Sequence, residues 1–424
     1  MDGPARGKIA FPLKVALVSV AVCVGLLALF AMWRFARPSQ RPSTVTPDMD
    51  RDPRFWVRVL LFDSISEFSL SAQNGFAVSD AAAGPAGAFE KTAQTVSIAP
   101  DRGIIVGDRT FGPDIEILPA EPYVVGLNER AWRGNLRLTL NSDGQSLRAI
   151  NSVPLEGYLA GVVGEEMPSY WEPEALKAQA VAARTYALFI KHRFGANRAW
   201  DVRRTQANQV YGGLYSESPM VWDAVRQTRG LVLVCDQPEG EKIFPAYYSS
   251  TCGGHTENSA NVFGDSYPSL TGVACPHCRE VTRRSFFEWS SPPFQAEQVS
   301  SAITDRYAHL RILHTIVAIE PNALSDYEDF SRVATLSLTG SNGRKRKIRA
   351  EDFRLTVDPS GTKIRSSSYR IEFRNGAYVF LDGRGFGHAV GMCQYGAEGM
   401  ARKNADFREI LNFYYPSSAL RSIQ

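Results

Sequence analysis

Two adjacent carboxylates, Glu165 and Glu166, close an apolar run and are followed at once by Met167 and Pro168. A carboxyl held between Val162-Val163 and Met167-Pro168 is partly desolvated, which raises its pKa towards the range useful for donating a proton. Paired acids are more often solvated surface groups, so it is the apolar flanks that single this pair out. Proline disfavours helical geometry before it, and both acids are expected in a bend. Arg184 lies further on among small residues. An unpaired buried guanidinium would cost about 3–5 kcal/mol, so it needs a carboxylate, and Glu165 or Glu166 is the nearest candidate in sequence.

The cysteines offer a second chemistry. Six are present, too few for a disulfide-built fold. Cys252-x-x-His255 and Cys275-Pro276-His277-Cys278 are two close pairs of thiolate and imidazole donors, which suit one tetrahedral zinc ion in a closed structural site. His277 could stand in for His255. A disulfide, which an extracytoplasmic location favours, and free thiols are open readings of the same residues. A third run, Asp382 to Gly396, interleaves glycines with His388, Gln394 and Tyr395. The dinucleotide fingerprint fails there, because His388 takes the third glycine's place and no βαβ unit follows. The glycines instead let backbone approach a bulky ligand while His388, Gln394 and Tyr395 supply hydrogen bonds.

These groups need elements to position them. A helix is expected from Glu172-Pro173, where the proline's missing N–H costs nothing, to about Lys191. Leu176, Ala180, Ala183, Ala187 and Ile190 fall on one narrow face, so this is a central, tightly packed helix with Gln179 and Arg184 as its polar exceptions. Residues 55–150 read as a β-rich lobe of short strands, with Ala81–Ala88 a loose loop. A helix through Trp222–Val225, strands at Leu231–Cys235 and Phe244–Tyr248, and a helix at Ala296–Asp305 are expected next. Asn342-Gly343 turns a hairpin whose Arg344–Lys347 run reads as a solvated edge. Asp406 and Glu409 box the start of a last helix. The expected class is α+β: the β-rich lobe, the alanine-rich central helix and a mixed α/β catalytic lobe over residues 151–424.

At 424 residues and 44% hydrophobic content, the chain can bury a substantial core. A net charge of +3 is too small to imply nucleic acid as a partner. Residues 15–33 are uncharged and close to the roughly 20 needed to cross a bilayer. They read as an uncleaved transmembrane signal anchor behind a cytoplasmic head at residues 1–14. Residues 34–54 read as a flexible linker. The folded part is therefore expected outside the cell membrane on a single-pass chain, although the flanking basic residues set that orientation weakly.

GVVGEEMP followed by EALKAQAVAARTYAL resembles the signature of the stage II sporulation protein D and amidase-enhancer family. YYSSTCGGHTENSANVF resembles that family's groove loop. Gly387 to Gln394 resembles its closing Gly-His-Gly-Val-Gly-Met-Ser-Gln motif, with Ala389 and Cys393 replacing a glycine and the serine. The resemblance spans roughly residues 55–420. It implies a lytic transglycosylase that cleaves peptidoglycan glycan strands, or else a peptidoglycan-binding adaptor that activates a cell-wall amidase. It places the catalytic acid on Glu166 and the Ala-Ala-Arg-Thr arginine on Arg184, which would orient Glu166 or hold the substrate. Substrate contacts are expected from Gln179, Tyr186, Ser249, His388, Gln394 and Tyr395. Zinc through Cys252, His255, Cys275 and Cys278 has precedent in the family, and the glycan chemistry itself needs no cofactor.

Overall fold

The computed structural model describes residues 52–90, 93–206 and 208–423. The membrane anchor expected at residues 15–33 lies outside the described residues. Among those described, no helix is long and apolar enough to cross a membrane.

Trp56–Ile65 is a strand because Val57 and Val59 alternate into the core while Arg58 turns to the other face, where it pairs with Asp201. It lies in a seven-stranded sheet, ordered Val202–Arg203, Trp56–Ile65, Leu147–Pro154, Asn135–Leu140, Asp114–Pro119, Phe76–Asp80, Gly84–Phe89. Pairing is antiparallel apart from the short edge at Val202–Arg203. A six-stranded antiparallel sheet is built from other segments of residues 68–133. Gly84–Phe89, expected within a loose loop, is instead a paired edge strand. Its small side chains do not prevent the backbone ladder, and Phe89 fixes the register by stacking on Phe76 with ring centroids 5.0 Å apart.

Strand Leu147–Pro154 runs straight into helix Leu155–Glu166, whose residues Leu155 to Val163 are all buried. Both acids therefore sit in the last turn of a helix, not in a bend. The physical reason is that Pro168 restricts only the residue before it. Met167 takes the extended geometry (φ −132°, ψ 140°) and ends the helix, leaving Glu166 one residue inside.

The central helix spans Pro173–Phe194 behind Glu172 as its N-cap. It packs against Leu155–Glu166 and against helices Pro219–Gln227, Gln394–Ala401 and Phe407–Tyr414. Four helical neighbours leave room for little beyond alanine, which accounts for its composition. One hydrophobic core runs from the sheets into this layer, through Leu70, Ile117 and Trp132 to Leu159, Ala183, Ala397 and Ile410.

A second core, including Ile303, Leu336, Phe353 and Phe380, holds together much of residues 289–380. There the hairpin Ser331–Gly340 and Lys345–Arg349 forms as expected, with Arg344–Lys347 exposed. The strand expected at Phe244–Tyr248 shrinks to Tyr248–Ser249, paired in parallel with Met392–Cys393. That short pairing draws the loop after Ser249 against the glycine-rich run, with bridges from Thr251 to Phe386 and from Glu257 to Val390. The whole is a mixed α and β fold.

Candidate active site

Glu166 reaches two donors from distant parts of the chain. Its Oε1 accepts from the Val210 backbone N–H at 3.1 Å, and its Oε2 from Gln394 Nε2 at 3.2 Å. Burial pushes the carboxyl above its usual range, the two donors pull it back, and the nearby charge of Glu165 adds to the rise. Burial prevails, although the residue keeps some solvent contact. Glu165 is one residue earlier, about 100° around the helix. It is exposed and accepts from Ser216 Oγ at 2.8 Å.

Tyr158, Tyr186 and Tyr248 stand within electrostatic reach of Glu166. Gln209 ties two of them together, accepting from Tyr158 Oη at 2.9 Å and donating to Tyr248 Oη at 2.8 Å and the Ala183 carbonyl at 3.2 Å. Asn208 donates to Tyr186 Oη at 3.4 Å. Sequence reasoning gave Asn208, Gln209 and Val210 no role. The signal was the glycine pair just beyond them, since a Cβ on Gly212 would lie 2.2 Å from Glu165 Oε1 and Gly213 has φ +66°.

Of the residues expected at the substrate, Gln394 touches Glu166 directly and Tyr186 lies nearby. Tyr395 is half-buried, its ring 4.8 Å from Trp171 and 6.2 Å from Phe286. Ser249 works inward, accepting from the Ala389 N–H at 3.1 Å. That bond helps hold Ala389 at φ +61°, a left-handed geometry that glycine adopts more readily. His388 is held by its surroundings: its Nδ1 accepts from Val390 N–H at 3.0 Å and its ring lies 5.1 Å from Phe263. Burial pushes its pKa down to about 4, so the imidazole is neutral at pH 7.

Two expected site residues are corrected. Arg184 meets neither Glu165 nor Glu166. It forms a bidentate pair with Glu156, Nε at 2.9 Å and Nη2 at 2.6 Å, and donates to the Leu231 carbonyl at 3.1 Å. Both partners are buried, at 0% and 2% side-chain exposure. The central helix returns alongside the first, so the rise from Pro173 to Arg184, about 16 Å at 1.5 Å per residue, carries the guanidinium level with the opposite end of that helix. Gln179 is wholly enclosed in the central helix's packing. Its amide makes no hydrogen bond among the described residues, and it does not face an open surface.

The cysteine cluster is also corrected. The sulfurs of Cys252, Cys275, Cys278 and Cys393 lie within 4.8 Å of one another, all buried. Those of Cys252 and Cys278 are 3.7 Å apart, and none of the four is joined in a disulfide. His255 stands outside: its Nδ1 lies 2.6 Å from the Thr256 carbonyl and its ring stacks on Tyr327 at 4.0 Å. His277 packs against Phe413. The fourth member, Cys393, comes from the glycine-rich run, carried in by the parallel pairing of Tyr248–Ser249 with Met392–Cys393.

Fold and site together describe a mixed α and β protein in which the desolvated carboxyl of Glu166 is braced by a loop after the central helix and by a distant glycine-rich run. The stage II sporulation protein family matches residues 143–235, the segment holding Glu166, Arg184 and Gln209. The chain is 31% identical over 291 residues to stage II sporulation protein D of Bacillus amyloliquefaciens, covering 64% of this chain and 75% of that one. It is 33% identical to an uncharacterized protein of Brachyspira hyodysenteriae, over 68% of this chain and 72% of that one. It is 28% identical over 352 residues to the amidase enhancer of Bacillus subtilis, covering 74% of this chain but 48% of that longer protein. The chain belongs to the stage II sporulation protein D family.

Proposed function

We propose that this protein is a membrane-anchored peptidoglycan lytic transglycosylase working on the outer side of the cell membrane, with Glu166 as its acid and base. Protonated Glu166 gives its proton to the glycosidic oxygen between N-acetylmuramic acid and N-acetylglucosamine, and the bond from C1 to that oxygen breaks. The resulting carboxylate then takes the proton of the muramic C6 hydroxyl as that oxygen bonds to C1. Gln394 and the Val210 N–H would steady the carboxylate between the two steps.

The observation that carries this reading is the desolvated carboxyl of Glu166, raised in pKa in spite of its two donors. Ordinary glycosidases use two carboxyls facing the scissile bond. The charge of Glu165 adds to the rise at Glu166, yet Glu165 is exposed and engaged by Ser216. Without a base for water, a C6 hydroxyl already held on the sugar has the advantage of proximity. Tyr170, four residues beyond Glu166, and Tyr215, next to the Ser216 that donates to Glu165, carry exposed rings, at 75% and 89% exposure, and offer apolar faces to a sugar.

Mass spectrometry of glycan strands digested by the purified protein tests this directly. Intramolecular capture leaves 1,6-anhydromuramic ends, whereas hydrolysis adds a water, and products carrying that water would refute the mechanism. The likeness to a protein named amidase enhancer supports a second reading, a peptidoglycan-binding activator of a cell-wall amidase. In that case the purified protein leaves strands intact and speeds only an added amidase.

A further inference from the structure

We propose that Cys252, Cys275, Cys278 and Cys393 form a closed four-thiolate site for one tetrahedral metal ion of the zinc class, and that the loaded site locks Gln394 against Glu166. The binding half stands by itself, and the positioning half rests on the glycan-cleavage reading above.

The donor set fits the ion in number, type and spacing. Four sulfurs around one zinc at about 2.3 Å each make a tetrahedron whose edges are about 3.8 Å. The Cys252–Cys278 separation is 3.7 Å, and every pair falls within 4.8 Å. A disulfide would require about 2.05 Å. With four protein ligands the ion has no open position, which makes the site structural.

The surroundings are arranged for thiolates. Backbone N–H groups of Cys252 and Gly396 point at Cys393 Sγ, at 3.3 and 3.4 Å, and the Tyr414 hydroxyl lies 3.1 Å from Cys275 Sγ. Such outer contacts orient ligands and tune the metal. Gly396 has no room for a side chain, because a Cβ there would sit 2.8 Å from Cys275 Sγ and 1.9 Å from Tyr414 Oη.

The link to the acid is one residue long. Cys393 caps the helix Gln394–Ala401, and the first residue of that helix donates to Glu166. One ion would therefore join the loop after Ser249, the Cys275–Cys278 turn and the glycine-rich run, and fix where Gln394 begins.

The full chain, purified in detergent under reducing conditions without chelator, should carry about one zinc by elemental analysis. Cobalt(II) exchanged into it should show the intense visible bands and sulfur-to-cobalt charge transfer of a four-thiolate site. Cys393→Ser should shift that spectrum and weaken binding more than about 100-fold, beyond the 10–100-fold typical of an outer contact. If that variant does not fold, thiol counting on the parent decides: four thiols should become reactive on stripping and be protected again by zinc. Protein that takes up no stoichiometric zinc, or that holds a disulfide within the four, overturns the site.

For the lock, Gln394→Ala should keep the cobalt spectrum while the alkaline limb of glycan cleavage moves to higher pH. Stripped parent protein should shift the same way. An unshifted profile after stripping refutes the lock, whereas a metal-loaded protein that cleaves no glycan refutes the glycan-cleavage reading and leaves the metal site standing.

Discussion

Glu166→Gln separates chemistry from stability, because the two should move in opposite directions. An amide cannot give up a proton, so turnover should fall by about 10²–10⁴, or about 2.7–5.4 kcal/mol of transition-state stabilisation at 1.36 kcal/mol per decade. Stability should not fall with it. The Val210 N–H can still donate to the new side-chain oxygen, and the Gln394 amide can rotate to accept from the new nitrogen. Two charge-assisted bonds worth about 1.5–3 kcal/mol each become neutral ones worth about 0.5–1.5. Against this loss stands the relief of burying an ionised group, and burial already outweighs both donors, since the carboxyl is raised in spite of them. A raised folded pKa means the native state binds the proton more tightly than the unfolded chain does. Parent stability therefore declines as pH rises from the unfolded value near 4.5 through the folded one, and the variant escapes that decline. The melting temperature of the variant should match or exceed the parent's at pH 7, and the difference should shrink below about pH 4.5. Muropeptide release and thermal melts across pH measure both halves. Near-normal turnover would remove Glu166 from the chemistry, and a variant markedly less stable at pH 7 would show that its charge is stabilising and its donor role misread.

Arg184→Ala strands Glu156 in the core and should cost about 3–5 kcal/mol, read as a large drop in melting temperature. A stable variant with selectively slow turnover would instead return Arg184 to the chemistry. His388, with its pKa near 4 in the fold, should show no imidazole titration by NMR between pH 5 and 8. Because the unfolded imidazole takes a proton near 6.5, this residue makes the fold less stable as pH falls from 6.5 towards 4, a slope that His388→Asn should reduce. Tyr170→Ala removes an exposed ring face and should raise KM several-fold with little change in kcat, and an unchanged KM would take the ring out of substrate binding.

Local chemistry determined much of this protein before any contact was known. Pro173 starts the central helix, small residues mark it as crowded, Asn342-Gly343 turns its hairpin, and Asp406 with Glu409 boxes the last helix, because each acts over four residues or fewer. The apolar flanks of Glu166 likewise pointed to a desolvated acid, since those neighbours are adjacent in the chain. Tertiary structure decided the partners. Glu156 and Arg184 are 28 residues apart and meet only because one helix returns along another. Gln394 reaches Glu166 across 228 residues, and Cys393 joins Cys252 across 141. Local spacing favoured His255 as the fourth metal donor because it follows Cys252 so closely. A two-residue parallel pairing brought Cys393 to the cluster instead, and a contact of that kind depends on how distant segments pack, which adjacent residue types do not encode.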